Sequence, residues 1–454
     1  MCKVSFLTRY AFKTLPDKVM NQRQHPIAHH FQTKLEEETS SMLENGVIEN
    51  CPNPKGWNSP LVTVGKKTGK LRVCANFKNT LNRVLAPESD VFQMPSTDTI
   101  FHEIGNENTY FSSLDLKSGY WHLAIDSRDR HKTAFQYKDR TYQFKRVPFG
   151  LKNAGDLFNR AVSKAMEGVA RRSNYKSYVD DVMVYAKTFT AYIETLEQIF
   201  IACRKYNMRL SGSKCTFLQE SAKFLGRIVD NSGYAPDPDY VEAILEMEAP
   251  KTKRQLSACI GRFNWLRDYI SPGIGESVAE ECFSHILSEM TCLNRKDKKF
   301  KWTSEATTAL EKCKEVLSSP RVIAYADFTK PFCLVTDASD TAMGAVLLQK
   351  HGSHQRIVAT GSKTFDSTQR NWSATEREGF AIVFFVERFA YFLRGKPFIL
   401  MTDHKALTAI DRKIIANPKM ARWQDRLGEF DFVVQYIPGR ENVIADMFSR
   451  PYAK

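Results

Sequence analysis

Over the first 235 residues, short strand-like runs alternate with helical stretches. From Gln32 to Leu43 the apolar positions recur at helical spacing among several acids, which predicts an amphipathic helix. Ser59–Gly65 and Leu71–Phe77 read as two arms of a hairpin around Lys67-Thr68-Gly69-Lys70. Leu157, Phe158, Val162, Ala165, Met166 and Val169 share one helical face, so a helix is expected over Asn153–Arg172. Tyr175–Tyr185 reads as two apolar arms around an acidic tip.

The texture changes at Pro236 and Pro238, and residues 236–319 are mostly helical. Thr252 can cap a helix that turns Leu256, Cys259, Ile260, Phe263 and Leu266 inward and leaves Lys253, Arg254, Arg262 and Arg267 to solvent. Ala306–Leu317 is a further helix, and the basic run Arg295–Lys301 is expected as a loop. Ser319-Pro320 marks a boundary. Beyond it, Phe332–Thr336 and Ala345–Gln349 are strand candidates around an expected turn at Ala342-Met343-Gly344. Ser373-Ala374-Thr375-Glu376 has capping-box spacing and opens an apolar helix expected to end near Gly395. Phe398–Met401 is another strand, and Asn442 can cap a short last helix before Pro451.

A length of 454 residues suggests about three domains. The 43% hydrophobic and 26% charged residues are those of a folded globular chain. The longest apolar run, Phe380–Val386, falls far short of the ~20 residues a membrane-spanning helix needs. Met1–Leu15 has no continuous apolar core, so no secretory signal is expected. Sixty-five basic against 51 acidic residues give a net charge of +14, which favours a polyanionic partner through counterion release. The ten cysteines form no C-x-x-C pair and are expected as free thiols in a reducing compartment.

Acidic residues at strand ends change this picture. Phosphoryl transfer at a nucleotide uses two divalent ions about 3.5–4 Å apart, and magnesium demands hard oxygen ligands. The chain must then bring carboxylates together from rigid elements that are distant in sequence. Asp115 ends the run Tyr110-Phe111-Ser112-Ser113-Leu114, and Asp180-Asp181 stand at the tip of Tyr178-Val179-Asp180-Asp181-Val182. Neighbours on a regular strand point to opposite faces, but a tight turn lets both carboxylates face one side. A lone Asp-Asp pair is ordinarily a solvated turn.

Three ordered motifs outweigh that plain alternative. Tyr178-Val179-Asp180-Asp181 and Leu114-Asp115-Leu116-Lys117-Ser118-Gly119-Tyr120 resemble the signatures of reverse transcriptases. Val147-Pro148-Phe149-Gly150-Leu151-Lys152-Asn153-Ala154 resembles the stretch between them in gypsy-type LTR retrotransposon (metavirus) enzymes. The resemblance implies an α+β right-hand polymerase with fingers and palm over 1–235 and a helical thumb and short connection over 236–319. It implies metal binding by Asp115, Asp180 and Asp181 with the Leu116 carbonyl. It places Tyr120 as a steric gate against a 2′-hydroxyl, with Phe149 also at the nucleotide. Arg72, with Lys66 or Lys67, would meet the triphosphate, and Gly261 and Trp265, one helical turn apart, would face the primer–template minor groove. The plain alternatives are a core tyrosine at 120, solvated basic residues on a hairpin, and a tryptophan packing the thumb. Two positions depart from the family pattern: Asn76 stands where Asp is common, and Gly155-Asp156-Leu157-Phe158-Asn159 where Pro-Ala-Thr-Phe-Gln is common.

Residues 320–454 carry a second acidic set. Asp337 and Asp403 end strands, Glu378 lies in the first turns of the capped helix, and Asp446 lies in Asn442-Val443-Ile444-Ala445-Asp446. Four carboxylates meeting at one sheet edge would repel unless cations bind, which suits a two-metal nuclease. Singly, each also reads as an ordinary turn or first-turn acid. The ordered set resembles the α/β ribonuclease H domain at the C-terminus of the same enzymes, and the family motif aligns Glu378 rather than Glu376 with the ligand. Tyr436 stands where metaviruses have tyrosine and many relatives have histidine, and His404 reads as structural.

The resemblance spans about residues 20–452 and implies a reverse transcriptase with ribonuclease H activity. It implies two Mg2+ per site, replaceable by Mn2+. The partners it implies are an RNA template, a DNA primer, RNA–DNA hybrid and dNTPs, with a homodimer on substrate and no membrane. The expected setting is the cytoplasm, within virus-like particles, as one piece of a longer polyprotein. One rival is a non-catalytic nucleic-acid-binding descendant, which loss of a metal acid would favour, but all seven are present; the other is a structural subunit in an asymmetric dimer, a role open to one copy.

Overall fold

The computed structural model describes residues 9–24, 26–65, 71–86, 95–105, 107–117, 119–169, 174–269, 283–294, 300–317, 322–352, 354–407 and 418–438. The chain divides into two compact units, Met1–Ser96 with Asn108–Ala222, and Thr97–Glu107 with Lys223–Lys454.

In the first unit the amphipathic segment forms α1 (Gln32–Glu44), burying Leu35, Thr39 and Met42. The hairpin arms are β1 (Leu61–Gly65) and β2 (Leu71–Ala75), antiparallel with Leu61 opposite Ala75; the turn at 67–70 lies outside the described residues. The centre is a four-stranded sheet of β3 (Tyr110–Asp115), β4 (Tyr175–Tyr178), β5 (Asp181–Ala186) and β6 (Thr216–Gln219), in the order β6-β3-β5-β4. Residues 182–186 of β5 are all buried, because α3 (Phe189–Lys205) packs against this strand. The helix expected over Asn153–Arg172 is shorter: α2 covers Ala154–Ala165 and tightens into one 3-10 turn, Met166–Gly168. Its apolar spacing persists past the helix because Met166 and Val169 still bury, but in a tighter turn.

The second unit begins with a helix from far upstream, Thr97–Ile104, which buries Ile100, Phe101, His102 and Ile104. It shares this unit with a small sheet of β7 (Ala222–Phe224), β8 (Arg227–Val229), β9 (Gly233–Pro236) and β10 (Ile323–Ala324). A Cβ at Gly233 would collide with the Ile323 carbonyl, so only glycine admits β10 at this spacing. Pro236 therefore ends a strand, while Pro238 occupies the first turn of α4 (Pro238–Leu245). The Thr252 hydroxyl accepts from the Gln255 N–H and caps α5 (Lys253–Leu266), which buries Leu256, Cys259, Phe263 and Leu266 as expected. Helices α6 (Phe283–Leu293) and α7 (Ser304–Leu317) follow. The Ser319-Pro320 boundary and most of the basic run after Asn294 lie outside the described residues.

A five-stranded sheet completes this unit. It contains β11 (Phe332–Ala338), β12 (Ala342–His351), β13 (His354–Thr364), β14 (Phe398–Thr402) and β15 (Phe432–Tyr436), in the order β13-β12-β11-β14-β15. The first three strands are antiparallel neighbours, and β14 runs parallel to both β11 and β15. The expected turn at Ala342–Gly344 is instead strand. The Ser339 hydroxyl accepts from the Thr341 and Ala342 N–H groups, closes the turn earlier, and sets Gly344 opposite Asp337. Ser373 and Glu376 form a complete capping box on α8 (Ala374–Arg388), which packs on β11 and β12. This helix stops at Arg388; a separate turn, Ala390–Leu393, continues to Gly395 at φ +78°. A final described helix, α9 (Pro418–Leu427), packs on α8. The last helix expected from Asn442 lies outside the described residues. Among the described residues no disulfide forms, and no helix is long and apolar enough to cross a membrane.

Candidate active sites

In the first unit, the sheet register sets Asp115 directly opposite Asp181. Asp180 follows in the two-residue turn between β4 and β5, where Tyr178 pairs with Asp181. The first turn residue, Val179, has φ +52°. That region is ordinarily filled by Gly, Asn or Asp, and a β-branched residue there costs on the order of 1–3 kcal/mol. Two bonds hold the turn: the Leu116 N–H donates to the Asp180 carbonyl at 2.8 Å, and the Val179 N–H donates to Asn159 Oδ1 at 2.8 Å. The Asp180 carboxylate lies against the backbone of Gly119, where a Cβ would collide with it.

The charges at this end of the sheet interact. Burial, and then the neighbouring Asp115 charge, push the Asp181 carboxyl above its ordinary range, while Lys214 opposes the shift. Lys214 Nζ lies 2.8 Å from Asp115 Oδ2. An ammonium therefore stands on the carboxylate where a metal would be expected, and the donor set of hard oxygens fits a divalent cation. Tyr120 packs edge-on to Phe149 at 5.2 Å and to Phe158 at 5.8 Å. Burial and the Asp180 charge raise its phenol pKa. The structure thus brings Tyr120, Phe149, Asp115, Asp180 and Asp181 together. Arg72 lies on β2, but its side chain, like Lys66 and Lys67, is outside the described residues. Asn76 Oδ1 accepts from the Lys78 N–H in a local turn.

Sequence reasoning did not single out Lys214 or the roles of Gly119 and Asn159. Lys214 meets an acid 99 positions away, so no local spacing could reveal it.

In the second unit, Gly261 is exposed on α5 with open space at its Cα. Trp265 sits between Tyr240, 4.7 Å away, and Gly226, whose φ of +76° and missing side chain admit the indole. The ring is 37% exposed, so it both packs and presents a face.

The second acidic set converges on one edge of the five-stranded sheet. Asp337 comes from β11, Glu378 from the second turn of α8 and Asp403 from just past β14. They offer oxygens all within 4.8 Å of one another. Asp337 is fully buried and Glu378 is 6% exposed. Bringing these carboxylates so close at low exposure is unfavourable without positive charge, which fits a cation site. Glu378 also accepts from the Ala338 N–H at 3.0 Å. Glu376 instead caps the helix and pairs with Lys419 at 3.2 Å, so Glu378 is the acid in the cluster. His404 Nε2 is 3.2 Å from the Thr375 hydroxyl, tying the Asp403 turn to the start of α8. Tyr436 is exposed opposite Thr402 on β15. Asp446 lies outside the described residues.

Residues 64–229 match the family described as reverse transcriptase (RNA-dependent DNA polymerase), and residues 327–430 match the RNase H-like domain found in reverse transcriptase. The chain carries a reverse transcriptase domain followed by an RNase H-like domain. The retrovirus-related Pol polyprotein from transposon 412 of Drosophila melanogaster is 30% identical over 453 residues, covering 98% of this chain and 35% of that protein. That of transposon 297 is 30% identical over 448 residues, covering 97% and 40%. The transposon Tf2-3 polyprotein of Schizosaccharomyces pombe is 30% identical over 434 residues, covering 94% and 31%. The chain thus spans about a third of the length of these relatives.

The fold is similar to that of foamy viral protease-reverse transcriptase. A structure of that protein in complex with RNA/DNA hybrid aligns with a TM-score of 0.79 at 20% identity, covering 98% of this chain and 58% of the other. One in complex with dsDNA aligns at 0.78 and 20% identity, covering 96% and 89%. The reverse transcriptase domain holds Asp115, Asp180 and Asp181, and the RNase H-like domain holds Asp337, Glu378 and Asp403.

Proposed function

We propose that the chain is the reverse transcriptase–ribonuclease H of a gypsy-type LTR retrotransposon, copying RNA into DNA and cleaving the RNA strand of the resulting hybrid. The observation that carries this reading is the presence of two acid clusters in two matched domains of one chain: Asp115 opposite Asp181 at the sheet edge, and Asp337, Glu378 and Asp403 within 4.8 Å. Relatives that are transposon Pol polyproteins, and structural neighbours solved with RNA/DNA hybrid and dsDNA, support it.

In this reading residues 1–235 are fingers and palm, 236–319 thumb and connection, and 320–454 the ribonuclease H domain. Asp115, Asp180, Asp181 and the Leu116 carbonyl would hold two Mg2+ in the first site. Asp337, Glu378, Asp403 and Asp446 would do so in the second. When bound, such ions acidify the attacking hydroxyl or water and neutralise the departing oxygens. The chain's own residues bind and orient. Tyr120 closes the space beneath the sugar, with Phe149 behind it. Arg72 and Lys66 receive the triphosphate. Gly261 and the open face of Trp265 receive the primer–template. The +14 charge attracts the phosphate backbone. In this reading the chain acts as part of a polyprotein-derived particle in the cytoplasm, as a homodimer on substrate.

Primer extension on a labelled RNA template with dNTPs and Mg2+ tests this reading. Extended DNA and a shortened template strand support it; neither product, from folded protein, refutes it.

A further inference from the structure

The turn that carries Asp180 is held from outside the acids. Val179 stands at φ +52°, which a two-residue hairpin favours but a valine does not, because its branched Cβ crowds the backbone and draws the residue toward negative φ. Such relaxation would re-aim the carboxylate that follows. On one side the turn is tied by a backbone bond, from the Leu116 N–H to the Asp180 carbonyl. On the other it is tied by a side chain, Asn159 Oδ1, which accepts the Val179 N–H at 2.8 Å. Asn159 is 7% exposed on α2, next to Phe158, whose ring touches both Gly119 and Tyr120. One helix therefore supports the aromatic gate and the acidic turn together.

We propose that Asn159 is a positioning residue for nucleotide addition: by accepting the Val179 N–H it keeps the turn in its left-handed conformation and so aims Asp180 and Asp181 to the side of Asp115. This rests on the polymerase reading of that site. The side chain reaches no substrate; it acts through the turn. Magnesium tolerates little departure from its preferred geometry, so a small re-aiming of one carboxylate weakens cation binding and slows the chemical step together.

Asn159→Leu keeps the volume and removes the acceptor. Its kcat for primer extension should fall at least tenfold, with little change in KM for dNTP. In chains also carrying Asp337→Asn, which removes the most buried acid of the second cluster, Mn2+ titration followed by electron paramagnetic resonance should show weaker binding. Cleavage of a preformed hybrid by the Asp337-intact variant should be unchanged, which reports an intact chain. Asn159→Gln, which keeps a carbonyl acceptor, should recover most of the loss. So should Asn159→Leu combined with Val179→Gly, because glycine takes φ +52° without crowding. If Asn159→Leu fails to fold, Asn159→Ser, too short to reach the Val179 N–H, replaces it with the same expectations. Wild-type kcat and Mn2+ affinity in the acceptor-less variant would overturn the proposal. So would a loss that neither Asn159→Gln nor Val179→Gly relieves. Absence of extension by the wild-type chain would instead overturn the polymerase reading itself.

Discussion

Tyr120 and Asp181 show how single side chains combine stability with chemistry. The Tyr120 ring is held by edge-on contacts with Phe149 and Phe158, so if it gates the sugar as proposed it would not swing aside cheaply. Tyr120→Val should raise ribonucleotide use at least tenfold relative to deoxynucleotide use, measured as the ratio of kcat/KM values; an unchanged ratio would reject the gate. Asp181 is a different case. Its folded-state pKa is raised, so folding is most favoured with the proton on, and that advantage is lost as pH rises through the folded pKa. The ionised carboxylate therefore burdens the fold. Asp181→Asn should therefore raise the Tm by a few degrees in EDTA, and a lowered Tm would show that the charge is stabilising. The strand-end acids and the motif tyrosine were legible in the sequence. Lys214, Gly119 and Asn159 were not, because each acts on a partner that only the folded sheet brings near.

Among the elements, those with a strong internal period were found where expected: α1, the β1–β2 hairpin, α5 and the capped α8. Errors arose where long-range pairing overrode local pattern. Ala342–Gly344 reads as a turn but is strand, because Ser339 closes the turn first. The helix Thr97–Ile104 was not foreseen, since its partners Tyr234 and Ala326 lie more than a hundred residues away, and strands β7 to β10 were missed because each is only two to four residues long. Within that assembly His102 is 4% exposed and acts as a polar pin. Its Nδ1 accepts the Ala326 N–H at 3.2 Å, which leaves Nε2–H to donate to the Tyr234 hydroxyl at 3.0 Å. The buried Arg227 guanidinium, 4.6 Å from the Phe101 ring, pairs with Asp98 at 3.0 Å. Burial lowers the His102 pKa to about 4. The unfolded chain then binds the proton more tightly, so stability falls as pH drops from 6.5 towards 4, by on the order of 3 kcal/mol. Urea midpoints across that range should slope steeply in the wild type and less in His102→Gln. Equal slopes would place the titration elsewhere.

At the scale of the whole molecule, each compact unit carries its own acid set. This division of labour was readable because the motifs are short, ordered and local, whereas the boundary of the units was not. The units separate at Ala222, within the stretch read as palm, because β7, β8 and β9 form one sheet with β10, which β9 pairs with, and share a unit with residues 97–107. Separate acid sets imply separable activities. The decisive measurement pairs primer extension with hybrid cleavage in Asp181→Asn and Asp337→Asn. The first variant should lose nucleotide addition and still cut a preformed hybrid; the second should extend primers and leave the template strand whole. If either substitution abolishes both activities while the protein stays folded, the two clusters are not independent sites.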